Sequence, residues 1–408
     1  MKFFVSAHCG AVNFKSAQIQ EKKGIIMAVY YFTISILTGL GYILSEKNIL
    51  FRNNTNYDVP NEKKAAALCL AAAFLIFTFL ASFRYAIGFD YFSYRDIYTF
   101  VSGWSFDDIF LIYPEEPLYY VICRLFSLAG CPFPLFLLII NIFLMAVSMQ
   151  FIYRFSRLPW LSAYLYITLQ FLAYNMNLIR QSIATAFFML AYPYLKNRKL
   201  LPFTLFMAAG GLFHNSLLFL YPLYFLLPLK FSRKSMGLLT GAVLLVYLFF
   251  DPLFQLLVPF LPVKYAAYQG GYFWNSNGFD YVIPSGVYCL LIYLFRNRLG
   301  DSPQGRIFQN SALYQFLITL FITKHFILER FAIYPFVFSL TAIPELIHSF
   351  REKPGTVGKF SLTYRRVLML FLLFGLGYFL FASNRGFHRV YPYVSLIDKS
   401  CSAPAAPP

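Results

Sequence analysis

The sequence predicts an all-α, polytopic transmembrane bundle of about 12 spans. Three observations carry that prediction. Of 408 residues, 59% are hydrophobic, 21% aromatic and only 12% charged, whereas an ordinary soluble domain carries roughly 25% charged residues. Fifty Phe and 32 Tyr stand against 17 acids, which is too little polar material to coat a globule and far too apolar for a disordered chain. The apolar residues also fall into runs, and a bilayer-crossing helix needs about 20 of them.

In chain order the runs lie at 27–44, 65–83, 134–152, 158–174, 179–195, 200–214, 215–229, 236–250, 282–296, 307–324, 330–347 and 367–383. Several are short, as tilted or locally thinned settings allow. The segment Pro117–Ala129 is too short to cross and is interrupted by Arg124, so it reads as an amphipathic helix at the interface. A single transmembrane domain over residues 27–395 accounts for all of them. Residues 1–26 have no unbroken apolar stretch with a small-residue cleavage site and so are no signal peptide. They read as a non-native or disordered leader, because Met27 stands at the start of the first run; a cytoplasmic leader with one span miscounted is the other reading. Residues 396–408, Pro/Ala-rich from Ser402 onward, read as a disordered tail.

The formal charge of +17 has a topological explanation before a nucleic-acid one, because Lys and Arg collect in cytoplasmic loops. Loops after the odd-numbered runs hold twenty basic residues, among them Lys63, Lys64, Arg296, Arg298, Arg365 and Arg366; the other side, from residue 27 on, holds ten. Both ends of the bundle are therefore expected to face outward, although Lys22 and Lys23 oppose that orientation. Two longer loops fall on the outward side, Arg84–Phe133 and Asp251–Tyr281. The second contains Tyr268–Asn275 with Trp274, and aromatic faces beside amides suit sugar rings as well as membrane interfaces. Cys9, Cys69, Cys123, Cys131, Cys289 and Cys401 form no CxxC and imply no disulfide framework or zinc site.

Ionisable residues at membrane depth are costly and are site hypotheses by default. Four outward groups stand out. Arg84 and Asp90 flank Gly88, with Tyr85, Tyr91 and Tyr94 around them. Arg180 and Gln181 follow Asn175-Met176-Asn177 and open an apolar helix, where a guanidinium fork adds to an anion-friendly helix start. His214 follows Gly210-Gly211 in a very apolar stretch; such a residue is either a satisfied hydrogen-bonder or a proton carrier. Lys324–Tyr334, with Arg330 and Tyr334, and the tail segment Arg385–Tyr393 add cations and aromatics. Asp107, Asp108, Glu115 and Glu116 read as a solvated face. There is no P-loop, dinucleotide fingerprint, HExxH or GxSxG, and no metal or cofactor is implied. No cytoplasmic loop is long enough to house a soluble transferase domain.

These groups occur in one order: Arg84-x-x-x-Gly88-x-Asp90-x-x-x-Tyr94, Glu116-Pro-Leu-Tyr-Tyr120, Ile179-Arg-Gln-x-Ile-Ala184, Phe213-His-x-Ser216 and Arg330-x-x-x-Tyr334. In that order they resemble the EpsG family of exopolysaccharide-synthesis membrane proteins, relatives of Wzy-type polymerases, over about residues 28–395. The resemblance implies a multi-pass protein of the bacterial inner membrane. It would join undecaprenyl-diphosphate-linked oligosaccharide repeats into exopolysaccharide, capsule or O-antigen on the outer face. The implied partners are those lipid-linked sugars, the bilayer and other polysaccharide export proteins, with no nucleic acid. On this reading Arg180 and Arg330, supported by Arg84, bind the diphosphate; Asp90 or His214 is the base; Tyr94, Gln181, Tyr334 and Trp274 support the sugar. A lipid-linked-oligosaccharide flippase and a membrane O-acyltransferase are the alternatives. The first would show twofold internal repetition, which is not seen; the second draws its acyl donor from the cytoplasmic side, whereas His214 reads as outward.

Overall fold

A computed structural model describes residues 16–46, 59–257, 259, 278–357 and 360–397. Nearly all of that chain is helical, as a segment in lipid must be when it can satisfy its backbone only internally. Helices α1 (Ser16–Gly41) and α2 (Val59–Ser82) come first, α1 starting upstream of Met27. Three short helices follow: α3 (Tyr91–Val101), α4 (Phe106–Ile112) and α5 (Pro117–Leu128). Ser105 and Asp108 close a reciprocal capping box on α4, and Pro117 opens α5, where its missing N–H costs nothing.

The middle of the chain folds as α6 (Phe133–Phe155), α7 (Pro159–Thr168), α8 (Phe171–Asn177), α9 (Ile179–Lys196), α10 (Leu200–Gly211), α11 (Ser216–Phe219) and α12 (Leu223–Leu226). Every residue from Trp160 to Asn177 is buried, so α7 and α8 form the centre around which α1, α2, α9 and later helices pack. The remainder comprises α13 (Arg233–Leu248), α14 (Phe250–Leu257), α15 (Val282–Leu294), α16 (Arg296–Leu299), α17 (Pro303–Ile322), α18 (Glu329–Phe336), α19 (Ser339–Glu352) and α20 (Tyr364–Asn384). A small antiparallel hairpin, β1 (Gly355–Val357) with β2 (Phe360–Leu362), precedes α20 and pairs Gly355 with Leu362.

The span count differs from the dozen runs. Among the described residues four helices are long and apolar enough to cross a membrane: Met27–Leu44, Lys63–Ser82, Phe133–Phe155 and Tyr364–Asn384. Two bent pairs raise the number to six, Lys234–Leu248 with Phe250–Leu256 at 73° and Phe326–Phe336 with Ser339–Arg351 at 47°. Some of the other runs are punctuated. Gln170 is left-handed at φ 71 and divides 158–174 into α7 and α8, while Pro222 separates α11 from α12 within 215–229. Of the loop Asp251–Tyr281, most lies outside the described residues, Trp274 with it.

Candidate functional site

The Asp90 turn begins where α2 ends. Gly88 has φ +93, and a Cβ there would meet the Met176 carbonyl oxygen at 3.2 Å, so glycine is needed both for the conformation and for the close approach of α8. Its N–H donates to the Arg389 carbonyl at 2.9 Å. Asp90 then starts α3, and its N–H donates to Asn177 Oδ1 at 3.1 Å. Tyr94 follows one turn later on the same face, and its hydroxyl accepts the Arg180 N–H at 3.5 Å. Burial pushes the Asp90 carboxyl above its ordinary range, against the opposing pull of the Arg330 and Arg180 charges.

Arg180 stands in the first turn of α9, just past the break that Leu178 (φ −106, ψ 62) makes with α8. Its Nη1 donates to Glu116 Oε2 at 2.9 Å and to the Tyr120 hydroxyl at 3.1 Å, with the guanidinium 5.8 Å from the Tyr120 ring. Its Nε is buried and has no hydrogen-bond partner among the described residues. Glu116, the residue before α5, is the hub of this region. One carboxylate oxygen takes Arg180; the other accepts the Asn215 N–H at 3.0 Å and lies 3.2 Å from His214 Nδ1. Burial alone would raise this carboxyl, but the His214 contact, the His214 and Arg180 charges and the Asn215 amide outweigh it and hold the group well below the usual carboxylate range.

His214 reaches Glu116 because the chain turns back sharply after α10. A Cβ on Gly210 would strike the Leu217 and Phe187 side chains at 2.6 and 2.8 Å, and one on Gly211 would strike Leu218 at 2.5 Å. Only glycines let α11 fold that closely against α10. His214 is buried, and among the described residues neither ring nitrogen has a partner with hydrogen-bond geometry, Nδ1 meeting Glu116 only as the 3.2 Å contact. Arg330 enters from α18. Gln181 Nε2 donates to its carbonyl at 2.5 Å, and Tyr334 one turn on pairs with Ser216 at 2.8 Å. The charges of Arg180 and Arg330 both act on His214 as well as on Asp90.

The structure thus gathers Asp90, Tyr94, Arg180, Gln181, His214, Arg330 and Tyr334 from three helices, the turn before α3 and the turn between α10 and α11. Arg84 sits behind this group. It is 1% exposed, donates from Nη1 to the Ala81 carbonyl, lies 5.8 Å from the Tyr91 ring and is packed among Tyr91, Tyr393, Tyr30 and Tyr94. One reading is overturned: Glu116 is not part of a solvated face but is 7% exposed and fully engaged. Its neighbours Asp107, Asp108 and Glu115 are exposed. The signal for Glu116 lay in its place before a proline-opened apolar helix, a position where a solvated acid and a buried one look alike in sequence. Asn177 and Ser216 are further site residues whose roles arise only from contacts between distant segments.

No group of three or more His, Cys, Asp or Glu side chains that could hold a metal occurs among the described residues. A family model described as the EpsG family matches residues 67–395, which takes in every one of these groups. No curated protein and no solved structure matches the chain.

Proposed function

The chain belongs to the EpsG family of exopolysaccharide-related, multi-pass membrane proteins, and from that premise we propose that it polymerises lipid-diphosphate-linked oligosaccharide repeats on the outer face of the inner membrane. The observation that carries the reading is the convergence of two guanidiniums, a raised carboxyl and an imidazole 3.2 Å from a carboxylate in one region. Such a transfer joins a hydroxyl of the acceptor repeat to the anomeric carbon of the donor. The carbon–oxygen bond to the diphosphate breaks, the lipid diphosphate leaves, and the hydroxyl proton passes to a base.

Each of these demands has a side chain to meet it. Arg180 and Arg330 offer their forks to the diphosphate, whose charge grows as the bond breaks. Glu116 beside His214 Nδ1 favours the tautomer that carries its proton on that nitrogen, which leaves the Nε2 lone pair for an acceptor hydroxyl. This is the geometry of a base oriented by a carboxylate. Asp90 faces the same two guanidiniums and takes sugar hydroxyls or the positive charge that develops at the anomeric carbon. A second reading makes Asp90 the base, and the burial that raises its carboxyl favours it. Tyr94, Gln181 and Tyr334 brace the site, with Arg84 buried in support and Trp274 as an outer sugar platform. The dozen-span arrangement with both ends outward belongs to this proposal too.

The test is polymerisation by the purified protein in lipid nanodiscs with lipid-diphosphate-linked repeats as the sole sugar. Long chains on one lipid diphosphate, with lipid diphosphate released, are expected. Repeats moved between leaflets without lengthening would instead identify a flippase.

A further inference from the structure

The segment after α20 is stitched along the Asp90 turn. Tyr85 N–H donates to the Val394 carbonyl at 2.8 Å, Leu396 N–H to the Phe83 carbonyl at 2.8 Å, and Gly88 N–H to the Arg389 carbonyl at 2.9 Å. Within that segment His388 and Arg389 have φ 57 and 50, a left-handed backbone that L residues other than glycine rarely adopt. The conformation drives the His388 imidazole inward. It is 6% exposed, its ring lies 4.3 Å from that of Tyr174, and its Nδ1 is 3.2 Å from Asn177 Nδ2. Residues held against backbone preference cluster where geometry serves a function.

The hydrogen bonds fix every role in this chain. An Asp90 N–H can only donate, so the Asn177 atom 3.1 Å away is the carbonyl oxygen. The other end of the Asn177 amide is then NH₂ and must donate to His388 Nδ1. Nδ1 is therefore an acceptor, and the ring carries its proton on Nε2, which lies 3.8 Å from Glu329 Oε1. Glu329 is itself held by the Tyr174 hydroxyl at 2.5 Å. Burial keeps the imidazole neutral, with its pKa pushed down to about 4. Neither His388 nor Glu329 reaches the site; the Asp90 N–H sets which way Asn177 points, and His388 Nδ1 holds the far end of the same amide.

We propose that His388 is a positioning residue for Asp90: by accepting from Asn177 it locks the amide in the one orientation that anchors the Asp90 backbone beside Arg180 and Arg330. The inference rests on the reading of the site given above. Without the Nδ1 acceptor the Asn177 NH₂ is left unpaired, only the Asp90 N–H restrains the amide, and the turn loosens.

The experiment compares His388→Leu, His388→Asn and His388→Gln in the full chain in nanodiscs. Asn places an oxygen where Nδ1 stands and tolerates the left-handed backbone; Gln places its oxygen one bond farther, where Nε2 stands. His388→Leu and His388→Gln are expected to lower kcat about tenfold to a hundredfold, the effect of a small misplacement of a reacting group. KM should stay near wild type, and His388→Asn should restore kcat. In an Asp90→Asn background His388→Leu should cost nothing further, because its effect acts through Asp90. Amide hydrogen exchange supplies a readout that needs no turnover: the peptide holding Asp90 should lose protection in His388→Leu and regain it in His388→Asn. Equal kcat losses in all three variants, additive losses in the double variant, or unchanged protection of that peptide would each overturn the proposal. If the wild-type protein makes no polymer, the functional reading falls, and the exchange data alone decide whether His388 anchors Asp90.

Discussion

Two clusters of charge occupy opposite ends of α9. Arg180 begins the helix at the candidate site, and Lys196 ends it by donating to Gln304 at 2.6 Å. Near that second end Lys230, Arg296, Arg306 and Asp301 line an open cavity of about 370 Å³. Both regions pair cations with carboxylates, and they differ in what surrounds them. The Glu116 and His214 side chains are each 9% exposed, whereas those of Lys230 and Asp301 are 75% and 54% exposed. Water screens the second cluster, so its pairs contribute little. In the first, desolvation makes each unmatched charge expensive, which is what marks it as the candidate site.

Substitutions sharpen that contrast, and the largest effect belongs to the base. His214→Gln should cut single-turnover polymerisation about 10²- to 10⁴-fold, the range a positioned base supplies, and flatten the pH–rate profile. Asp90→Asn should keep a sloping profile; a flat one there, with a sloping one for His214→Gln, would move the base to Asp90. Arg180→Lys comes next, with polymer lost about a hundredfold while protein level and membrane insertion stay intact. Lysine keeps the charge but cannot span Glu116, Tyr120 and a phosphate oxygen at once. Wild-type polymer from Arg180→Lys would reduce Arg180 to an interface anchor.

A subtler difference appears in stability against pH. Glu116 is held below the carboxylate range, so its ionised form stabilises the fold at neutral pH, and that contribution is lost as pH falls through its depressed value. Asp90 is raised, so its ionisation works against folding at neutral pH and ceases to do so on acidification. Glu116→Gln should therefore lower the melting temperature at pH 7 more than at pH 4, and Asp90→Asn should raise it at pH 7. Thermal unfolding in detergent at the two pH values reads both; shifts of the same sign would contradict the assigned environments. The smallest effect is expected at the other end, where Lys230→Gln should leave polymer within about twofold of wild type because exposed pairs contribute little. A severe loss there would make the basic cavity a second functional site.

The long spans were legible because composition and run length alone require them: the runs 27–44, 65–83, 134–152 and 367–383 all meet helices long enough to cross. The short ones were not, because hydropathy does not register where a buried chain bends. Gln170 in a left-handed turn and the break at Leu178 depend on packing around α8, not on local preference. At the site, Arg180 and His214 announced themselves as charge or imidazole in apolar surroundings. Glu116 did not, since its partners stand 64 and 99 residues away. Asn177 is the clearest case: its meaning comes from Asp90, 87 residues before it, and His388, 211 residues after it.

The stitching of residues 387–396 onto residues 83–90 also sets a timetable. Tyr393 donates to the Leu80 carbonyl at 3.1 Å across 313 positions of sequence, and Tyr30 to the Val390 carbonyl at 2.8 Å across 360. During synthesis α2 and the Asp90 turn leave the ribosome early and wait while every later helix is inserted. The turn receives its last backbone partners only after α20 has been delivered to the membrane. On the proposed function, polymer-forming competence is thereby deferred until nearly the whole chain has been made, and a nascent or prematurely ended chain, however well inserted, lacks the segment that braces the candidate site.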